Sequence, residues 1–85
     1  MLITTEGCEG CAVMRDNTTY AVTTARIEIE LEIKDMKELD KKYLRTFGIK
    51  DFPTILLFRD GELKYKYSGS MPAIVVTRWI DIYFK

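Results

Sequence analysis

The stretch Phe52-Pro53-Thr54-Ile55-Leu56-Leu57-Phe58-Arg59-Asp60-Gly61-Glu62-Leu63-Lys64-Tyr65-Lys66-Tyr67 carries the decisive pattern of this 85-residue chain. Thr54 to Phe58 is an unbroken apolar run, which is how a strand covered on both faces reads. Asp60-Gly61 is a two-residue hairpin signal, because both turn positions require positive φ. The return segment then alternates, with Leu63, Tyr65 and Tyr67 set against Glu62, Lys64 and Lys66, so one of its faces is wet. A central strand and an edge strand therefore lie antiparallel.

The remaining elements arrange themselves around that hairpin. Leu2 to Thr4 is a short apolar strand of the covered type. Arg26 to Lys34 alternates strictly, Ile27, Ile29, Leu31 and Ile33 against Glu28, Glu30 and Glu32, as an edge strand with an acidic outer face does. A helix is expected from about Cys8 to about Tyr20, weakened at Asn17, Thr18 and Thr19. Asp35 with Glu38 makes a capping box for a second helix whose apolar face is Met36, Leu39, Tyr43 and Phe47 and which ends at Gly48. A third helix has Ser70 as its cap, Pro72 in its first turn, and Val75, Val76, Trp79, Ile80 and Tyr83 on its buried face. Covered strands belong in the middle of the sheet and alternating strands at its edges, so the spatial order is second, first, third, fourth, and the helix between the first two strands makes them parallel.

Length and composition bound the rest. The chain is expected to form one domain spanning residues 1–85, and 47% hydrophobic residues suffice for a core. Lysine plus arginine equals aspartate plus glutamate at 13 each, so no net field draws nucleic acid or an anionic membrane. No apolar run approaches the roughly 20 residues that a bilayer span needs. Met1-Leu2-Ile3-Thr4-Thr5 lacks the basic region and apolar stretch of a signal peptide, so a reducing cytoplasm is the expected compartment.

Chemistry concentrates in Cys8-Glu9-Gly10-Cys11, which holds the only two cysteines. The pair leaves a strand and opens a helix, where the helix dipole favours a thiolate on the first sulfur. A structural disulfide closing so small a loop gains only roughly 2 kcal/mol in the chain-entropy picture. A structural zinc site needs about four nitrogen or sulfur ligands, and the chain has no histidine. Two unrelated buried cysteines are a third reading. Redox exchange between dithiol and disulfide accounts best for the spacing and its position. Glu6 and Glu9 lie close in sequence, and Ala12 and Val13 rather than a base follow Cys11, which points to a reductant more than a strong oxidant. Trp79 reads as core, and the Glu28, Glu30, Glu32 stripe as a solubilising edge rather than a metal site.

The cysteine pair, together with Phe47-Gly48-Ile49-Lys50-Asp51-Phe52-Pro53-Thr54 running into the apolar strand and the Asp60-Gly61-Glu62 hairpin, and with Tyr67-Ser68-Gly69 after it, resembles the thioredoxin/glutaredoxin superfamily. The likeness covers essentially the whole chain at glutaredoxin size. It implies an α/β thioredoxin fold of βαβαββα order, a four-stranded mixed sheet (2-1-3-4) and three flanking helices. It further implies that Cys8 attacks and Cys11 resolves, that Pro53 is a cis-proline facing the pair, that the Phe52 backbone hydrogen-bonds an extended substrate, and that Gly69 flanks the groove. The implied activity is reduction of protein disulfides, with no cofactor beyond the Cys8–Cys11 redox pair and with a thioredoxin reductase-like flavoenzyme or glutathione recharging it. A monomer is the expected state. The alternatives are a glutathione-dependent glutaredoxin-like enzyme and a redox-inert or metal- or cluster-sharing binding module. The segment departs from the family in lacking a tryptophan before Cys8 and in placing Leu2 where a buried acid stands six residues before the first cysteine, which removes the usual proton acceptor for Cys11.

Overall fold

In the computed structural model, which describes residues 1–85, the chain runs β1 (Leu2–Thr4), α1 (Glu9–Thr24), β2 (Ile33–Asp35), one 3-10 turn (Met36–Glu38), α2 (Lys41–Thr46), β3 (Thr54–Arg59), β4 (Glu62–Ser68) and α3 (Ala73–Phe84). The strands form one mixed sheet in the order β2-β1-β3-β4, the order expected from which strands are covered and which alternate. β1 is parallel to β2 with Leu2 opposite Ile33, and antiparallel to β3 with Leu2 opposite Ile55. β3 and β4 pair from Thr54↔Ser68 to Arg59↔Glu62, with an irregularity between Leu57 and Phe58. Asp60 (φ 54°) and Gly61 (φ 77°) make the turn, in the left-handed region that their sequence signal requires.

Apolar side chains leave the sheet on both sides. On one side Leu2, Ile55 and Leu57 meet Met14 and Ala21 of α1 and Val76, Trp79 and Ile80 of α3. On the other, Ile3, Leu56 and Ile49 meet Met36, Leu39, Tyr43 and Phe47 of the α2 region. Leu2, Ile3 and Leu56 are fully buried, and each such side chain contributes roughly 1.5–3 kcal/mol of transfer free energy. This places β1 and β3 in the covered centre, and the end of β1 opens onto the loop that carries the cysteines.

Four local expectations change. α1 continues four residues beyond Tyr20, to Thr24. The weak formers in its middle are held by tertiary contacts: Asn17 Nδ2 donates to the Met71 carbonyl at 2.9 Å, and Thr18 and Ala21 are buried. The second strand is shorter than Arg26–Lys34, because β1 offers only three residues to pair with. Residues 27–31 keep their alternating burial but make no backbone hydrogen bond. The helix expected from Asp35 to Gly48 is broken in two. The Asp35/Glu38 capping box is present but caps one 3-10 turn, and Asp40 then restarts the chain as the N-cap of α2 by accepting from the Tyr43 N–H at 2.7 Å. At α3 the N-cap is Pro72, not Ser70. The Ser70 hydroxyl instead donates to the Gly10 carbonyl at 3.3 Å.

Candidate functional site

The site begins where β1 ends. Glu6-Gly7 turns the chain, Gly7 at φ 70°, and Cys8 follows as the N-cap of α1 with extended backbone (φ −91°, ψ 107°). No side chain caps this helix end, so its free N–H groups and positive dipole end face the Cys8 region. Cys8 and Cys11 are joined as a disulfide with Cα atoms 5.4 Å apart. They are unequal in access. Cys8 is half-buried, whereas Cys11 is only 6% exposed beneath the first turn.

Two further segments converge on this turn. The Phe52–Pro53 peptide bond is cis and Pro53 is buried. A Cβ added at Gly10 would lie 3.4 Å from Pro53 Cδ, which shows how closely the cysteine turn approaches the proline ring. Gly69, at φ 121°, donates its N–H to the Pro53 carbonyl at 2.8 Å, so the end of β4 is locked to the proline. Behind it the buried Thr54 hydroxyl bonds the Asp51 carbonyl and the Ser68 hydroxyl, fixing the loop that presents Phe52. The Phe52 N–H and C=O have no hydrogen-bond partner within the chain. Cys8, Phe52, Pro53 and Gly69 line one groove of about 480 Å³. The structure thus gathers the residues named from sequence around one open surface, with Cys11 behind it.

Residues not anticipated from sequence complete the surroundings. Arg15, one turn along α1 from Cys11, lines a second cavity of about 420 Å³ with Cys8, Glu9 and Cys11, and its i+4 spacing from Cys11 is the signal that marks it. Lys50 lines the main groove. Glu6 Oε1 is held by Lys37 Nζ at 3.1 Å, with both side chains largely in solvent. The charge around Cys8 is therefore mixed. Ser70 is the least foreseeable: its hydroxyl bonds the middle of the Cys8–Cys11 turn, across sixty positions of sequence. Leu2 is fully buried among Met14, Ile55 and Leu57, and no ionisable group takes the place of an acid at that position.

No family model matches the sequence, and no curated protein matches it. Solved structures do. A structure of thioredoxin-2, described as a component of the malaria parasite protein secretion machinery, superposes with a TM-score of 0.83 over 96% of this chain and 79% of that one, at 16% identity. Sheet order, helix placement and that superposition agree: this chain is a small protein of the thioredoxin fold, carrying its close cysteine pair at the start of the first helix.

Proposed function

We propose that the protein is a thiol–disulfide oxidoreductase that reduces disulfides of other proteins, with Cys8 as the attacking thiol and Cys11 as the resolving thiol. The observation that carries this reading is the difference in access within one disulfide: Cys8 stands at the mouth of the groove at a helix N-terminus, and Cys11 is covered. In the dithiol form the Cys8 thiolate attacks a substrate disulfide, forming a mixed disulfide and expelling one substrate thiolate. Cys11, once deprotonated, attacks Cys8 and releases the second substrate thiolate, so two electrons pass to the substrate and the Cys8–Cys11 disulfide remains. The unpartnered N–H and C=O of Phe52 supply the two backbone hydrogen bonds that align an extended substrate beside Pro53, with Gly69 flanking the groove. With Leu2 in place of an acid, Cys11 gives its proton to water or to a substrate thiolate. The mixed charge around Cys8 lacks the one-signed cationic surround of a strong oxidant, which favours a low reduction potential.

The reading places the protein in a reducing compartment such as the cytoplasm, working as a monomer on protein partners. Insulin reduction followed by turbidity tests it, with recharging by a thioredoxin reductase in one series and by glutathione with glutathione reductase in another. Turnover in the first series is expected. Turnover only in the second assigns the protein to the glutathione-dependent class, and none in either contradicts the proposal.

A further inference from the structure

Two cavities flank the disulfide, and the two sulfurs divide them unequally. Cys8 lines both, the groove of about 480 Å³ beside Pro53 and the cavity of about 420 Å³ beside Arg15. Cys11 lines only the second. That cavity is the route by which water reaches the covered cysteine, and Thr4, Thr5, Glu9 and Arg15 give it polar walls. The resolving step needs such a route. A covered thiol resists ionisation, and the fully buried Leu2 offers no carboxylate to take its proton.

Charge reaches Cys11 from one side chain. Glu9 and Arg15 are the only charged residues lining the cavity. Helical side chains lean toward the N-terminus and cover the turn before their own Cα. Glu9, the first residue of α1, therefore leans toward Cys8, whereas Arg15 leans over the turn that holds Cys11, four residues back. Helix neighbours leave its guanidinium free: the positions three and four residues away are Ala12, Cys11, Thr18 and Thr19, none of them acidic, and Arg15 forms no ion pair. Charged groups on other segments face Cys8 instead. Lys50 and Asp51 line the groove that Cys11 does not reach, and Glu6 lies there too, held by Lys37.

We infer that Arg15 readies Cys11 for the resolving step, favouring its thiolate form while the proton leaves to water through this cavity. The inference rests on the proposed roles of Cys8 and Cys11. In the mixed disulfide, Cys11 gives its proton to water and its sulfur attacks Cys8 Sγ. The bond between Cys8 and the substrate breaks, and the substrate sulfur leaves with the electron pair and takes a proton from solvent. Arg15 acts through Cys11 and takes no part in the bonds that change. A cation that favours the attacking thiolate thus stands in for a base that would remove its proton. The two devices differ in a measurable way: a favoured thiolate is more abundant but intrinsically less nucleophilic.

Stopped-flow reaction of the reduced protein with one equivalent of dithiodipyridine, a neutral disulfide, separates the two steps. The first thiopyridone released reports attack by Cys8, and the second reports resolution by Cys11. Rates are followed from about pH 6 to about pH 10 in the unaltered protein, Arg15→Gln and Arg15→Lys. Arg15 is exposed, so both variants keep the fold. In Arg15→Gln the midpoint of the second phase is expected to rise by about half a pH unit, the scale of one exposed charge pair. Its rate at neutral pH is expected to fall roughly twofold, less than the loss of thiolate because the remaining thiolate is more nucleophilic, and its plateau at high pH is expected not to fall. The first phase moves less, and Arg15→Lys stays close to the unaltered protein. An unchanged second-phase profile, a uniform slowing at every pH, an equal or larger shift in the first phase, or failure of Arg15→Lys to retain the profile would each overturn the inference while leaving the cysteine roles standing. Absence of a second release in the unaltered protein would overturn those roles and the inference with them.

Discussion

Cys8 and Cys11 are chemically the same residue in different places, and the difference is positional. The N-cap position gives Cys8 the helix dipole and access, while the first turn covers Cys11. Local charge then tunes the pair. Glu6 is engaged by Lys37, so Glu9 is the carboxylate beside Cys8 without an ion-pair partner. Glu9→Lys replaces a charge that opposes the Cys8 thiolate by one that favours it, which stabilises the dithiol form. The reduction potential is expected to rise by about 15–30 mV, the equivalent of about 1 kcal/mol for an exposed charge at short range. Equilibration with glutathione measures it, and an unchanged or lower potential contradicts the electrostatic account. Gly10 is a second residue with a definite cost. A Cβ there would overlap Ser70 Oγ, so Gly10→Ala displaces that hydroxyl and its bond to the Gly10 carbonyl. Loss of that bond, about 1 kcal/mol, offsets the helix propensity gained over glycine. Chemical denaturation should find Gly10→Ala near neutral, and Gly10→Ala with Ser70→Ala no less stable than Gly10→Ala alone, because the clash is gone.

The elements show where local pattern and tertiary context part company. The hairpin and the order of the sheet were legible because burial on one face or two leaves a direct trace in residues 54–67 and 2–4. The length of the second strand was not, because alternation reports which side chains are covered, not whether a neighbour exists to hydrogen-bond. Ile27, Ile29 and Leu31 are half-buried as a strand's would be, yet their backbone has no partner. The broken second helix has a similar cause: Asp40 sits among good helix formers, and only its backbone shows that it caps rather than continues. Cys8, Cys11 and Pro53 could be placed by motif, whereas Ser70, Arg15 and Lys50 reach the site through the fold. α3 docks through aromatic packing, Trp79 lying 5.2 Å from both Tyr65 and Tyr67 by ring centroid. Trp79→Ala is expected to cost about 3–5 kcal/mol, enough to shift the denaturation midpoint strongly. A loss under about 1 kcal/mol would show that α3 is held elsewhere. Thr18→Val, which removes the unpartnered hydroxyl at constant shape, is expected to stabilise the free protein by about 1 kcal/mol or more in the same assay.

At the scale of the whole molecule, the cysteine end of the sheet carries a groove with free backbone groups at Phe52, and its opposite end carries a cleft lined by residues 27–32 and β3. With 13 basic and 13 acidic residues there is no net charge to steer substrates from a distance, so reduction rates with a neutral protein disulfide should change little between low and physiological salt. A steep salt dependence would point to a charged substrate surface. The central claim, that Cys8 attacks and Cys11 resolves, is tested most directly by trapping. Cys11→Ser and Cys8→Ser variants are incubated with a disulfide-containing protein and resolved by non-reducing mass spectrometry. The account predicts a stable mixed disulfide through Cys8 in Cys11→Ser and none in Cys8→Ser. Adducts through Cys11, or equal trapping by both variants, would contradict it.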